Sequence, residues 1–216
     1  MTLLAVAIAF SAFFAAVELV ARRWQLDREV TRKLVHLSAG LAAAALPLVL
    51  DFHQIAALGL VFALAMAASQ RLDLLSSIHG VRRSTWGEVC FPLAIGLTAL
   101  LFPHPLVFAY AIATMAVSDV AAWAAGRRFG RSRLPLPRSS KTYAGSAAFF
   151  AATVVIGVVL LPALGHGVFP AVLLCAPVAL VATAVEGLSG RGLDNLLVSP
   201  VTAGLLWALQ VAGALA

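Results

Sequence analysis

Long apolar runs recur along the whole chain, near 2–21, 34–50, 54–69, 87–103, 106–125, 146–163, 168–186 and 200–216. At about 1.5 Å of rise per residue, a helix over each run crosses or nearly crosses a hydrocarbon core. Only 11% of the 216 residues are charged and 62% are hydrophobic, whereas a soluble domain carries about 25% charged residues. A soluble cytosolic enzyme is therefore excluded, and no length remains for a separate soluble domain. The expectation is an all-α, polytopic integral membrane protein of about eight transmembrane helices, with residues 1–216 forming a single membrane-embedded domain.

The charges are ordered as well as scarce. All fifteen basic residues fall into four clusters: Arg22, Arg23, Arg28, Arg32 and Lys33; Arg71, Arg82 and Arg83; Arg127, Arg128, Arg131, Arg133, Arg138 and Lys141; and Arg191 alone. The clusters alternate with short turns at Asp51 to His53, Pro103 to Pro105 and Leu164 to Gly167, which contain no basic residue. Basic residues at span ends mark the cytoplasmic side, so the clusters are expected to share that face, with both termini on the other. The first run has no basic n-region and reads as an uncleaved span rather than a secretory leader. Cys90 and Cys175 lie in separate spans and read as packing residues. The location implied is a bacterial or archaeal cell membrane with any active site facing the cytoplasm. The basic loops then serve topology, anionic lipids or a phosphate ligand rather than nucleic acid.

Of nine acidic residues, only Asp51 belongs to the short-turn face. A carrier places its polar groups near the bilayer midplane, and here they crowd one interface instead. Asp119 follows an apolar run and precedes Gly126 by seven positions, about 10 Å of helix below the interface. An ionised group at that depth needs a partner or a wet cavity. Asp119 is a candidate metal ligand or general base, against a structural ion pair with a nearby arginine. Between Gly126 and Ser146 lie six basic residues, Arg127 and Arg128 among them, and a Gly145-Ser146 helix start, whose N–H groups and dipole favour phosphate. Lys141, one of two lysines against thirteen arginines, is a candidate phosphate contact. Glu186 and Asp194-Asn195 gather oxygen ligands suited to Mg²⁺ around a glycine-rich turn, or they cap a helix. Arg32, Lys33 and His36 open the second run and Glu88 the fourth, each a packing or a functional residue.

Five stretches, RKLVHLSAG (32–40), RRSTWGEVCFPLA (82–94), MAVSDVAAWAAGRRFG (115–130), SSKTYAGSAAFF (139–150) and EGLSGRGLDNLLVSP (186–200), together resemble the CTP-dependent lipid-alcohol kinases. These include phytol and farnesol kinase, dolichol kinase and the CTP-using diacylglycerol kinase, and are distantly similar to CDP-diacylglycerol synthases. The resemblance spans about residues 32–200. It implies transfer of the γ-phosphoryl group of CTP, with Mg²⁺, to the hydroxyl of a membrane lipid. It also implies catalytic roles for Asp119, Lys141 and Glu88, nucleotide contacts from Arg32, Lys33, His36, Arg127, Arg128, Gly145, Ser146 and Asn195, and metal binding by Asp119, Glu186 and Asp194. Ser118-Asp119-Val120 stands where relatives often have Gly-Asp-Gly, and Ala144 replaces a common Glu. Two other readings stay open: a cytidylyltransferase that makes a CDP-lipid, and a non-enzymatic carrier.

Overall fold

The computed structural model describes residues 2–72, 74, 86–135, 141–164, 167–190 and 192–212. Arg82, Arg83, Arg138 and Arg191, counted in the basic clusters, lie outside the described residues. The described chain is all-helical: α1 Thr2–Arg23, α2 Arg28–Ala44, α3 Phe52–Arg71, α4 Gly87–Leu101, α5 Pro105–Phe129, α6 Tyr143–Leu160, α7 Val168–Leu188 and α8 Leu193–Val211. Of these, α1, α3, α5, α6 and α7 are long and apolar enough to cross a membrane. The helix α4 has only 15 residues, and α2 and α8 carry charged residues in their first turns.

Those polar starts account for the largest departures from the apolar runs. The run at 34–50 is a helix from Arg28 to Ala44 followed by a 3-10 turn at Leu46–Leu48, and the run at 200–216 is a helix that already starts at Leu193. Hydropathy discards Arg32, Lys33, Asp194 and Asn195 as loop, whereas backbone hydrogen bonding includes them. Local chemistry sets the boundaries. The Asp27 carboxylate accepts from Val30 N at 2.9 Å, Asp51 and Gln54 form a reciprocal capping box, and Thr142 Oγ1 accepts from Gly145 N at 3.1 Å; each cap satisfies a helix N–H that has no intrahelical partner. Gly192 enters α8 at φ +91°, and a Cβ there would lie 2.3 Å from Gly87 N. Only glycine fits both demands.

The central helix is α5, with 61% of its apolar window buried, against 6% for α1. Phe108, Tyr110, Ala111, Ile112 and Ala116 of α5 are wholly buried. Lipid tails are as apolar as leucine, so helices in a membrane associate through close packing and interhelical polar contacts. Both occur. Gly59 of α3 meets Gly96 of α4 so closely that a Cβ on Gly59 would sit 2.7 Å from the Gly96 backbone, and Gly40 of α2 packs on Ala116. Buried hydroxyls pair between helices, Ser118 with Thr153 at 2.9 Å and Thr98 with Ser199 at 3.1 Å.

The first turns of α2, α4, α6 and α8, the last turns of α5 and α7 and the stretch of α3 from Ile55 to Met66 border one cavity. At the opposite end, the His104 side chain of the α4–α5 turn meets Gln210 near the end of α8 at 3.1 Å.

Candidate active site

The cavity has a volume of about 1620 Å³ and two distinct parts. One part carries the charged ends of the helices. The other is walled by Phe10 and Phe14 of α1, Ile55, Leu58, Phe62 and Met66 of α3, and Leu46. From Met66 to Ile55 the apolar part follows α3 for about 16 Å.

Helical periodicity puts Arg32, Lys33, His36 and Ala39 of α2 on the cavity, and Asp119, Ala122, Trp123, Gly126 and Arg127 of α5 opposite them. Just before Asp119, α5 contains a π turn at Thr114–Ser118. One extra residue per turn re-aims the side chains that follow. His36 Nε2 lies 3.1 Å from the Met115 carbonyl oxygen in that turn, donating to it, and 3.7 Å from Asp119 Oδ2. Phe91 covers the imidazole with a centroid separation of 4.4 Å. Asp119 is ion-paired with Lys33. The partner foreseen for a structural role was an arginine, and the residue found is the buried lysine one turn from His36.

A second centre lies beside the first. Lys141 pairs with Glu186 and, at 3.0 Å, with Asp194. Burial disfavours the charge on Lys141, but the carboxylates of Asp194 and Glu186 outweigh it and hold the ammonium above the ordinary lysine pKa. Asp119, Glu186, Asp194 and Asn195 share the wall of a pocket of about 10 Å³ with Met115, Phe149 and Val198, roughly the room of one water-sized particle.

Among the described residues, three buried polar atoms of cavity-lining residues have no hydrogen-bond partner: Arg32 Nε, Ser146 Oγ and Glu186 Oε2. Such atoms are costly unless something else satisfies them. Among the described residues the lining holds four basic side chains, Arg32, Lys33, Arg127 and Lys141, and five acidic ones, Glu29, Glu88, Asp119, Glu186 and Asp194. A phosphate ligand beside so many carboxylates is commonly accompanied by a divalent cation. The donor set fits one: a hard divalent ion takes one or two carboxylates and completes its shell with water and phosphate oxygens. Among the described residues no three His, Cys, Asp or Glu side chains form a closed metal cage.

The cavity gathers Glu88, Asp119, Lys141, Arg32, Lys33, His36, Arg127, Gly145, Ser146, Asn195, Glu186 and Asp194. Arg128 stands apart, exposed, with its guanidinium 5.9 Å from the Phe129 ring centroid. Two residues are present in another capacity. The Gly145 N–H is already used by Thr142 and that of Tyr143 by Ser132, which reduces the free helix start expected for phosphate. The absent side chain of Gly145 instead lets α6 approach Ala122 O. Asn195 Nδ2 donates to Gly87 O at 3.1 Å and ties α8 to the start of α4.

Sequence reasoning missed Gln70, which donates to Glu88 Oε2 at 3.2 Å, and the contact of Trp123 Nε1 with Glu29 at 3.0 Å. Trp123 lies one turn beyond Asp119 on the same face, which was a usable signal; nothing in the residue types marks the π turn.

Fold and cavity together define a polytopic helical membrane protein whose site is ionic at one end and apolar at the other. Residues 1–190 match the cytidylyltransferase family, and the chain belongs to it. The match includes every site residue named above except Asp194 and Asn195. Phytol kinase of the cyanobacterium Synechocystis sp. is 31% identical over 195 residues, covering 88% of this chain and 84% of that protein. The resemblance to the CTP-dependent lipid kinases is thereby borne out. No solved structure matches the chain.

Proposed function

We propose that the protein is a membrane-bound kinase that transfers the γ-phosphoryl group of CTP to the hydroxyl of a lipid alcohol. The acceptor is an isoprenoid such as phytol, geranylgeraniol or a polyprenol like dolichol, or it is diacylglycerol. The observation that carries this reading is one cavity with two lysine–carboxylate centres at one end and a deep apolar wall at the other. A water-soluble anion and a lipid tail are both accommodated, and they meet at Asp119. The relative named phytol kinase supports the same class of reaction.

Phosphoryl transfer needs the attacking and leaving oxygens in line and the charge on the transferred group neutralised. Mg²⁺, held by Asp119 and by Glu186 or Asp194, supplies part of that neutralisation when bound. Lys141, with Arg127, stabilises the charge that grows on departing CDP, and Arg32 and Ser146, which line the same part of the cavity, contact the nucleotide. Of the two carboxylates available for the alcohol proton, Asp119 is engaged by Lys33, whereas Glu88 is held by the neutral amide of Gln70. Glu88 therefore accepts the proton as the alcohol oxygen bonds to the γ-phosphorus and the bond to CDP breaks. Lys33 and His36 fix Asp119.

The same reading takes all eight helices as spans of a single domain in a bacterial cell membrane, with the cavity's ionic end at the cytoplasm and both termini outside. Cysteine-accessibility labelling that found positions 139 and 164 on the same side would overturn that topology.

The test of function uses purified protein, Mg²⁺, a lipid alcohol and CTP labelled at either the γ- or the α-phosphorus. Label from the γ position in the lipid is the expected result. Label from the α position, with a lipid phosphate as acceptor, would identify a cytidylyltransferase, the reaction in the family's name. A carrier would keep its function in Asp119→Asn and Lys141→Ala.

A further inference from the structure

Four of the five carboxylates in the cavity have an evident partner: Asp119 is bound to Lys33, Glu186 and Asp194 to Lys141, and Glu88 to Gln70. Glu29 is different. Among the described residues it has no ion pair, and its Oε1 is held by a neutral donor, Trp123 Nε1, at 3.0 Å. The indole is itself fixed by the Arg127 guanidinium, 5.7 Å from its ring centroid. Glu29 Oε2 accepts no hydrogen bond from a described residue. A carboxylate at the mouth of a site for a polyanion repels the ligand unless it recognises a hydrogen-bond donor on it.

The position suits a base. Trp123 and Arg127 lie about 6 and 12 Å along α5 from Asp119, on the same face and toward the rim. With its γ-phosphorus at Asp119 and its diphosphate at Arg127, as in the proposed function, a triphosphate would carry its ribose and base toward Glu29. Cytosine presents an exocyclic amine that carboxylates accept from, whereas uracil presents a carbonyl oxygen in the same place.

We infer that Glu29, oriented by Trp123, accepts a hydrogen bond from the exocyclic amine of the nucleotide base and so selects CTP over UTP. The inference rests on the kinase reading only for the presence and direction of a nucleotide in this cavity. Trp123 is a positioning residue.

Equilibrium binding of CTP and UTP to the purified full chain, measured beside lipid phosphorylation, tests it. The wild type is expected to favour CTP. Glu29→Gln, which offers both a donor and an acceptor, should reduce the CTP/UTP affinity ratio about tenfold, the order of one charge-assisted hydrogen bond. Trp123→Phe keeps a ring but removes the N–H, and should shift the ratio the same way by less; it carries the comparison if Glu29→Gln fails to fold. Equal affinities in the wild type, or an unchanged ratio in the folded variants, overturns the inference. A changed ratio without lipid phosphorylation leaves the base contact standing and rejects the kinase. Phosphorylation with an unchanged ratio does the reverse.

Discussion

Lys141→Ala gives the most direct access to the energetics of the site. The ammonium lies between Glu186, which is 3% exposed, and Asp194. Removing it leaves two carboxylates beside Asp119 with one fewer positive charge, and Glu186 Oε2 already has no partner. Breaking a buried ion pair from one side costs about 3–5 kcal/mol. The partial exposure of Lys141 and Asp194, 22% and 19% of their side chains, lets water recover some of that, so about 2–3 kcal/mol is expected. The double variant Lys141→Ala/Glu186→Gln removes the stranded charge and should regain at least about 1 kcal/mol, a coupling normal for contacting residues. Denaturant unfolding in a fixed detergent measures all three proteins, and CTP-dependent lipid phosphorylation is followed in parallel. Stability should return in the double variant while activity stays lost, because the ammonium proposed to stabilise the departing nucleotide is still missing. A single variant as stable as wild type, or a double variant less stable than the single, would refute the reasoning.

Three further outcomes are expected. Gly59→Ile forces a branched side chain into the Gly96 backbone, which a Cβ alone would approach to 2.7 Å; it should destabilise the α3–α4 pair by roughly 1–3 kcal/mol, read as a lower melting temperature, and an unchanged one would count against the packing described. For pH, the raised Lys141 pKa means that its stabilisation is complete below the unfolded value of 10.5 and is lost only as pH rises through the higher folded value. No alkaline loss of stability between pH 7 and 10 should therefore trace to it, and a loss near pH 9 that Lys141→Arg abolishes would contradict this. Chelation of divalent ions should abolish phosphorylation and Mg²⁺ should restore it; activity that survives exhaustive chelation removes the metal from the proposal.

What the sequence disclosed followed from interactions local in the chain. The apolar runs and alternating basic turns marked the helices, because span length and charge retention are properties of single segments. The same logic misplaced the starts of α2 and α8, where polar residues lie within the hydrogen-bonded helix, at Arg32 and Lys33 and at Asp194-Asn195. The candidate residues were identified individually, but their pairing was not. Lys33 and Asp119 are 86 positions apart and Lys141 and Glu186 are 45 apart, and only tertiary packing decides which lysine serves which carboxylate. The π turn is a backbone event with no residue signature, and nothing in the sequence around Glu29 separates it from the other acidic residues beside the basic clusters.

The loosely packed α1 has a consequence for how the protein senses its surroundings. Its Phe10 and Phe14 stand 5.9 and 6.0 Å from Phe62 of α3 and close one side of the apolar chamber, yet only 6% of its apolar window is buried against protein, which leaves the rest of a membrane-spanning helix to lipid. That wall is thus shared between protein and bilayer. Its compliance would be set by acyl order, thickness and lateral pressure, so on the proposed function the rate at which acceptor tails enter and leave becomes partly a material property of the membrane.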